Sequence, residues 1–492
     1  MRFNTQSTGT STTNLAGGKA YTQNPELELV SIALTSFMSD QFYRSSDDTL
    51  VRVKELVRLN DPKFTAQVAV YARIVFGMRS ISHVLASEVA YKTAGEKNAK
   101  DSFVKNFLNL VVKRPDDVTE ILAYHKSQGY KLTNQMRKGL GMALTKFDDY
   151  QLGKYKAANA AIKLVDAINI LHPKETKAIK ALIKGELKAP DTWEVKLTQS
   201  GGDADKKKEA WTELLETNKL GYFALLRNLR NIMEQAPEAV DLAVKRLTDE
   251  TAIKKSLVLP FRFLTALKEI EKIQGANTRK VFEAILDAAD IALNNVPELS
   301  GRTLVALDVS GSMTTQMNKA SYTYAEIGAL FACAIYKKSK GTELLTFAEA
   351  ARAVSHDCKQ SVLSMAKSLP FTGGGTNFNA IFEGLKTPYD RIIILSDMQG
   401  WMQQSYFSGY HRGWSLSANF NDYKARTKCN PHVYSIDLAG YGSMQLPERG
   451  VYCLAGFSEK IFDLMPKLEA DKDALISTIK MMIPEDFIAE LN

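Results

Sequence analysis

Cysteine is scarce in this chain. Its 492 residues hold four, Cys333, Cys358, Cys429 and Cys453, none of them in a Cys-x-x-Cys pair. So few thiols in so long a chain exclude a disulfide framework and point to a reducing, cytoplasmic compartment. Long apolar runs are also missing. No stretch approaches the ~20 residues that cross a bilayer, so a membrane role is not expected. The polar start, Met1 to Asn14, does not read as a signal peptide, and residues 1–23 read as a flexible tail. The six histidines show no metal spacing. No phosphate-binding Gly-x-x-x-x-Gly-Lys-Ser/Thr, no His-Glu-x-x-His and no Gly-x-Ser-x-Gly occurs. With none of these signatures, the chain is expected to bind rather than to catalyse.

What is present is ordinary for a soluble protein: 45% hydrophobic and 24% charged residues, with a net charge of +8. The charge is unevenly placed. Residues 1–300 carry 44 Lys+Arg against 36 Asp+Glu, whereas residues 301–492 carry 19 of each. An excess confined to one part favours a polyanionic partner there, with nucleic acid first.

Residues 24–298 read as nearly all helix. Apolar residues recur at three- and four-residue spacing from Leu27–Phe42 through Phe64–Val75, Ile81–Lys92 and Tyr155–Leu171 to Asn277–Asn294. Short connectors hold Asp, Pro, Gly and Asn. Ser200–Lys208, with Lys206-Lys-Lys208, reads as the one flexible internal loop. Many helices with short turns suggest stacked antiparallel pairs, a HEAT-like α-solenoid, although no clean period is visible. Near residue 300 the pattern changes. Strand candidates at Thr303–Asp308, Glu343–Phe347, Arg391–Asp397, His432–Asp437 and Val451–Leu454 alternate with helical stretches. Residues 299–470 therefore predict a doubly wound, mostly parallel sheet. Residues 471–492 hold a last helix that could return to the helical part.

The most informative stretch is Leu304-Val-Ala-Leu-Asp-Val-Ser-Gly-Ser-Met313. A buried apolar run stops at Asp308, and hydroxyls follow at Ser310 and Ser312. Thr376 ends the glycine-rich Thr372-Gly-Gly-Gly-Thr376, and Asp397 ends Arg391-Ile-Ile-Ile-Leu-Ser-Asp397. All five donors are oxygens, which suits Mg2+ or another divalent cation and excludes soft metals. The pattern resembles the metal-ion-dependent adhesion site of von Willebrand factor A domains. That resemblance implies an open coordination position, usually filled by a partner's carboxylate or by water.

A basic helical part followed by an A domain resembles the Ro autoantigen family with its TROVE domain, including its bacterial or phage orthologues. Gly221-Tyr-Phe-Ala-Leu-Leu-Arg-Asn-Leu-Arg230 and Leu259-Pro-Phe-Arg-Phe-Leu-Thr-Ala-Leu267 are similar to two family motifs. Tyr71-Ala-Arg73, Arg79 and Arg114-Pro-Asp-Asp117 are similar to early helix motifs. Lys154-Tyr-Lys156 followed by Leu171-His-Pro-Lys174 resembles the RNA-contacting segment, although Ala157-Ala158 stands where the family has a second basic residue. The resemblance implies a ring of helical repeats closed by the A domain. It implies capture of single-stranded 3′ ends of misfolded small noncoding RNAs, binding of Y-like RNA, and work beside an exoribonuclease such as polynucleotide phosphorylase.

Lys154, Lys156, Lys163 and His172 are the first RNA-binding candidates: lysines release counterions at phosphates, and histidine stacks or bonds. Arg227 and Arg230 follow, since a guanidinium binds phosphate bidentately. Arg73, Arg79, Arg137, Lys138 and Arg262 are further candidates of the same kind. The plainer alternatives are solvated helix faces for the lysines, a helix C-cap for His172 and internal salt bridges for the arginines. The rival function is a protein–protein scaffold that grips partners with the solenoid and the metal site.

Overall fold

The computed structural model describes residues 11–13, 19–21, 24–35, 48–94, 103–155, 160–187, 192–316, 322–355, 359–398, 415–439, 445–446, 450–455, 461–470 and 474–484. The chain divides into two compact units. One comprises residues 24–191 and 464–492, the other residues 1–23 and 192–463.

The first unit is helical. Its helices are α1 (Pro25–Thr35), α2 (Asp48–Leu59), α3 (Pro62–Ile74), α4 (Ser80–Lys92), α5 (Val104–Val111), α6 (Pro115–Ser127), α7 (Asn134–Leu144), α8 (Asp149–Lys154), α9 (Leu164–Leu171) and α10 (Lys177–Lys184). Local sequence sets their ends. Asp61 caps α3 by accepting from the Phe64 N–H, with Pro62 in the first turn. Thr133, Asp148 and Thr176 cap α7, α8 and α10 in the same way. Residues Phe64 to Ala72 of α3 are all buried. The C-terminal helix Ala474–Met482 packs on α3 and α1, and Gln67 donates to the Ile483 carbonyl at 2.6 Å.

Two expectations need correction here. The apolar spacing over Tyr155–Leu171 predicted one helix, but Ala160 to Lys163 are not helical and α9 begins at Leu164. Asp166 accepts from the Lys163 N–H at 3.0 Å and fixes that start. Arg73 and Arg79 do not face outward as free cations. Both grip Asp117 of α6, which is fully buried: Arg73 Nη2 at 2.7 Å and Arg79 Nε at 2.8 Å. His83 Nε2 lies 3.0 Å from the same carboxylate, and the N–H groups of Lys113 and Arg114 donate to it at 2.9 Å each. This one carboxylate therefore ties α3, α4 and α6 together.

The second unit holds the remaining helices of the helical stretch: α11 (Trp193–Gln199), α12 (Ala204–Glu216), α13 (Tyr222–Gln235), α14 (Val240–Leu247), α15 (Glu250–Ser256), α16 (Phe261–Ile270) and α17 (Thr278–Ala292). Lys206–Lys208 are not loop. Asp203 caps α12 by accepting from the Asp205 and Lys206 N–H groups, and the three lysines lie in its first turns. Those turns are mostly exposed, so no apolar spacing betrayed them.

Six strands form the unit's sheet: β3 (Thr303–Asp308), β4 (Thr342–Phe347), β5 (Ala351–Val354), β6 (Arg391–Ser396), β7 (His432–Asp437) and β8 (Val451–Ala455). Their order is β5-β4-β3-β6-β7-β8, parallel except for β5, which the sequence did not reveal. A separate antiparallel pair, β1 (Ser11–Thr13) with β2 (Lys19–Tyr21), lies in the segment read as a tail. The interleaved helices are α18 (Tyr324–Lys338), α19 (Val362–Ser368), α20 (Asn379–Phe382) and α21 (Leu416–Thr427), and the division between the units falls within α22 (Ile461–Ala470). Helices α16 and α17 pack against the α18 and α19 layer. Asp290 of α17 accepts from the Val362 N–H at 2.7 Å, Lys268 pairs with Glu326 at 2.7 Å, and Phe261 stacks on Phe331 at 5.5 Å. The change of secondary structure near residue 300 thus falls inside a compact unit.

Burial alone would raise the Asp117 carboxyl, but hydrogen bonds and charge from His83 and Arg73 outweigh it and hold the group well below the usual carboxylate range. Burial pushes the His83 imidazole below its ordinary range, opposed by its hydrogen bond to Asp117. Asp117→Asn is expected to cost ~3–5 kcal/mol, because largely buried Arg73 loses its carboxylate and Arg79 keeps only Asp116. The folded-state pKa lies below the unfolded value. The wild-type advantage in denaturant melts should therefore be constant above pH ~5 and shrink as the pH falls below ~4.

Candidate functional site

The strand order reverses at β3. The chain leaves β3 for β4 on one side and returns through β6 on the other. Such a switch point opens a crevice at the carboxyl ends of its two strands. Asp308 ends β3 and Asp397 directly follows β6. The register sets Leu307 beside Leu395, so Asp308 comes next to Ser396. Ser396 Oγ donates to Asp308 Oδ2 at 2.6 Å, and the Ser310 N–H donates to Asp308 Oδ1 at 2.8 Å. Ser310 and Ser312 bring their hydroxyls within 3.3 Å of each other.

The glycine-rich loop hooks onto this turn. Gly373 N–H donates to the Val309 carbonyl and Gly311 N–H to the Gly374 carbonyl, each at 3.1 Å. Gly373 and Gly374 have φ of 70° and 88°, a left-handed pair that side chains disfavour. A Cβ on Gly374 would also lie 3.1 Å from Glu349 Oε1. Asp308, Ser310, Thr376 and Asp397 are buried, whereas Ser312 is exposed. All five predicted oxygen donors thus lie on two adjoining strand ends and one loop tied to them. Burial pushes the Asp308 carboxyl up to about 6; hydrogen bonds from Ser310 and Ser396 oppose the rise, and the charge of Asp397 adds to it. Among the described residues no three His, Cys, Asp or Glu side chains gather as ligands, so a cation here would depend on hydroxyl oxygens.

Three residues at this site were missed. Ser396 closes the apolar run Ile392–Leu395 and bonds the key aspartate. Met398, buried with φ 57°, donates its N–H to Ser396 Oγ at 3.0 Å. Gln445 donates to the Met398 carbonyl at 3.0 Å, from a loop far along the chain. Only the polar ending of β6 was visible beforehand.

The RNA-binding candidates separate by exposure. Lys154 is exposed at the end of α8, with its ammonium 5.9 Å from the rings of Tyr150 and Tyr155. Beside it lies a pocket of about 200 Å³ lined by Asp116, Glu120, Lys154, Tyr155, Ile162 and Leu164. Arg114 stacks on Tyr155 at 4.4 Å. Lys163, His172, Arg137 and Lys138 are exposed, and Lys156 lies outside the described residues. In the other unit Arg227 and Arg262 are exposed. Arg230 is exposed but ion-paired with Glu234 at 2.9 Å and Glu269 of α16 at 3.4 Å. His172 ends α9 in the left-handed conformation, φ 48°, with its N–H bonded to the Ile168 carbonyl.

Two family models match this chain: the TROVE domain over residues 180–344 and the Ro60 vWA domain over residues 302–408. The RNA-binding protein RO60 of Deinococcus radiodurans is 24% identical over 455 residues, spanning 80% of this chain and 84% of that protein. The chain thus carries stretches that match two Ro-family domains and is similar to a Ro protein along most of its length. All five oxygen donors fall within the Ro60 vWA match. RNA-binding protein RO60 of Caenorhabditis elegans is 30% identical over 129 residues, 24% of this chain and 20% of that protein. A 92-residue stretch is 36% identical to telomerase protein component 1 of Mus musculus, 18% of this chain and 3% of that protein. The crystal structure of the Deinococcus radiodurans Ro (RSR) protein shares the fold, with a TM-score of 0.64 at 20% identity, over 93% of this chain and 99% of that one.

The left-handed backbone of His172 gives a separable test of its part in ending α9. Glycine relieves the side-chain clash at a helix C-terminus, so His172→Gly should leave stability unchanged or raise it by up to ~1 kcal/mol in a denaturant melt. A substantial loss of stability would show that the imidazole itself holds the turn.

Proposed function

We propose that this chain is an RNA-binding protein of the Ro type. The reading rests chiefly on its likeness to RNA-binding protein RO60 along 80% of its length. The charge distribution supports it. Residues 24–191 carry 26 Lys+Arg against 19 Asp+Glu, whereas residues 192–300 carry 16 against 17. The basic excess of the helical stretch therefore lies in residues 24–191, which expose Lys154, Lys163, His172, Arg137 and Lys138. Exposed cations interleaved with tyrosines suit phosphate contacts and base stacking with little sequence reading.

Within that reading, the substrate is the single-stranded 3′ end of a misfolded small RNA, with Y-like RNA as a second ligand and an exoribonuclease as a working partner in the cytoplasm. No residue is assigned a catalytic step. Arg73 and Arg79 are left out of the RNA surface because Asp117 holds them.

The vWA site fits a hard divalent cation such as Mg2+. Its donors are all oxygens, and its two carboxylates disfavour each other's charge. Asp308, Ser310, Ser312, Thr376 and Asp397 would hold the ion. When bound, it supplies an open position for an acidic side chain of a protein partner. Ser396 keeps Asp308 oriented, and exposed Ser312 marks the side from which a partner approaches.

A structured RNA with a single-stranded 3′ tail should bind more tightly than its blunt counterpart. Its affinity should fall about tenfold or more between 50 and 200 mM salt in filter binding. Tail-indifferent binding would remove the end-capture reading. Lys154→Ala combined with His172→Ala should weaken RNA binding about tenfold and leave Mg2+ binding intact. Asp308→Ala should abolish Mg2+ binding by calorimetry and leave RNA affinity nearly unchanged. Equal loss of RNA binding in both folded variants would sink this division of labour.

A further inference from the structure

Tyr91, near the C-terminal end of α4, lies face to face with Tyr130, which follows α6. Their ring centroids are 3.8 Å apart and the planes differ by 8°. The pair has an inner and an outer member. The Tyr130 hydroxyl donates to the Glu88 carboxylate, 3.1 Å from each oxygen. Glu88 is buried and also accepts from the buried Tyr124 hydroxyl at 2.7 Å. His125 meets Tyr130 edge-on at 5.3 Å. Tyr91, by contrast, is 50% exposed. With one face covered by Tyr130, its other face is open to solvent.

The surroundings are basic. Lys92 follows directly and donates to the carbonyls of Val57, Arg58 and Asn60, which fastens the end of α2 beside the pair. Arg58, exposed at the end of α2, is one of the residues whose carbonyl Lys92 holds, so it lies beside the pair. An aromatic ring held rigid from below, with a guanidinium nearby, is the arrangement that accepts an unpaired base while a cation takes the phosphate.

We infer that Tyr91, backed by Tyr130, is a stacking site for an unpaired nucleobase of single-stranded RNA. The inference rests on the RNA-binding reading above and adds a subsite to it. Lys154 shares its pocket with Asp116 and Glu120 at the start of α6, whereas Tyr130 lies past that helix's end. Thirteen residues of helix place the two about 20 Å apart. The stacking site is thus separate from the lysine cluster.

The test uses the full chain and fluorescence anisotropy with a labelled ten-nucleotide oligouridylate and a blunt RNA duplex. Tyr91→Ala should weaken binding of the single strand by about 5- to 100-fold, whereas Tyr91→Phe and Tyr91→Trp should stay within about threefold of wild type. Duplex binding should be unchanged in all three. Wild-type affinity in Tyr91→Ala overturns the inference and leaves the pair as a structural or protein-contact surface. Equal loss in Tyr91→Phe also overturns it, since the hydroxyl rather than the ring would then be at work. Equal loss on the duplex overturns it as well. If the wild type binds neither RNA, the RNA-binding reading itself fails and the inference falls with it. Thermal melts followed by circular dichroism check that each variant is folded.

Discussion

The central position of β3, with a parallel neighbour on each side, is the constraint on which the vWA unit depends. It buries Asp308 completely at the strand's end, where a bare carboxylate is costly. The cost is offset by the Ser310 N–H and the Ser396 hydroxyl, and these two bonds join the turn after β3 to the end of β6. The glycine loop then closes against the same turn, and the left-handed Met398 is held by Ser396 and Gln445. A charge that must be compensated has organised four separate segments around one crevice.

The helical unit meets the same requirement differently. Asp117 is as buried as Asp308, but arginines compensate it. Those arginines fix three helices and are withdrawn from any ligand. Arg230 is similarly occupied, on the surface, by two glutamates. The positive charge left exposed near Lys154 and on α7 is what a polyanion would meet. Net charge alone overstates that supply, because it counts arginines already committed inside the fold.

Aromatic rings extend the same distinction. Tyr71, Tyr124 and Tyr434 are buried and serve the core. Tyr91 and Tyr150 are about half exposed; Lys92 follows Tyr91 in the chain, and the Lys154 ammonium lies 5.9 Å from the Tyr150 ring. A surface that pairs exposed tyrosine with lysine or arginine suits a flexible, unpaired nucleic-acid strand better than a rigid duplex.

The sequence by itself determined the central strands, most helices and the placing of Asp308 and Asp397 at the ends of neighbouring strands. Fully buried parallel strands such as Thr303–Asp308 and Arg391–Ser396 have continuous apolar interiors, and a polar residue that ends such a run is conspicuous. It did not determine β5, whose Ala-Arg-Ala-Val is a half-exposed edge without pattern, or the first turns of α12, where exposed lysines carry no apolar period. The break between α8 and α9 was hidden because apolar residues continue through it at helical spacing. Tertiary structure alone decided which way each cation points. Arg73 and Arg137 are both arginines on helices, yet one closes on a buried aspartate 44 residues away and the other stays in solvent. That outcome depends on which helices meet, and periodicity within a single helix carries no record of the meeting.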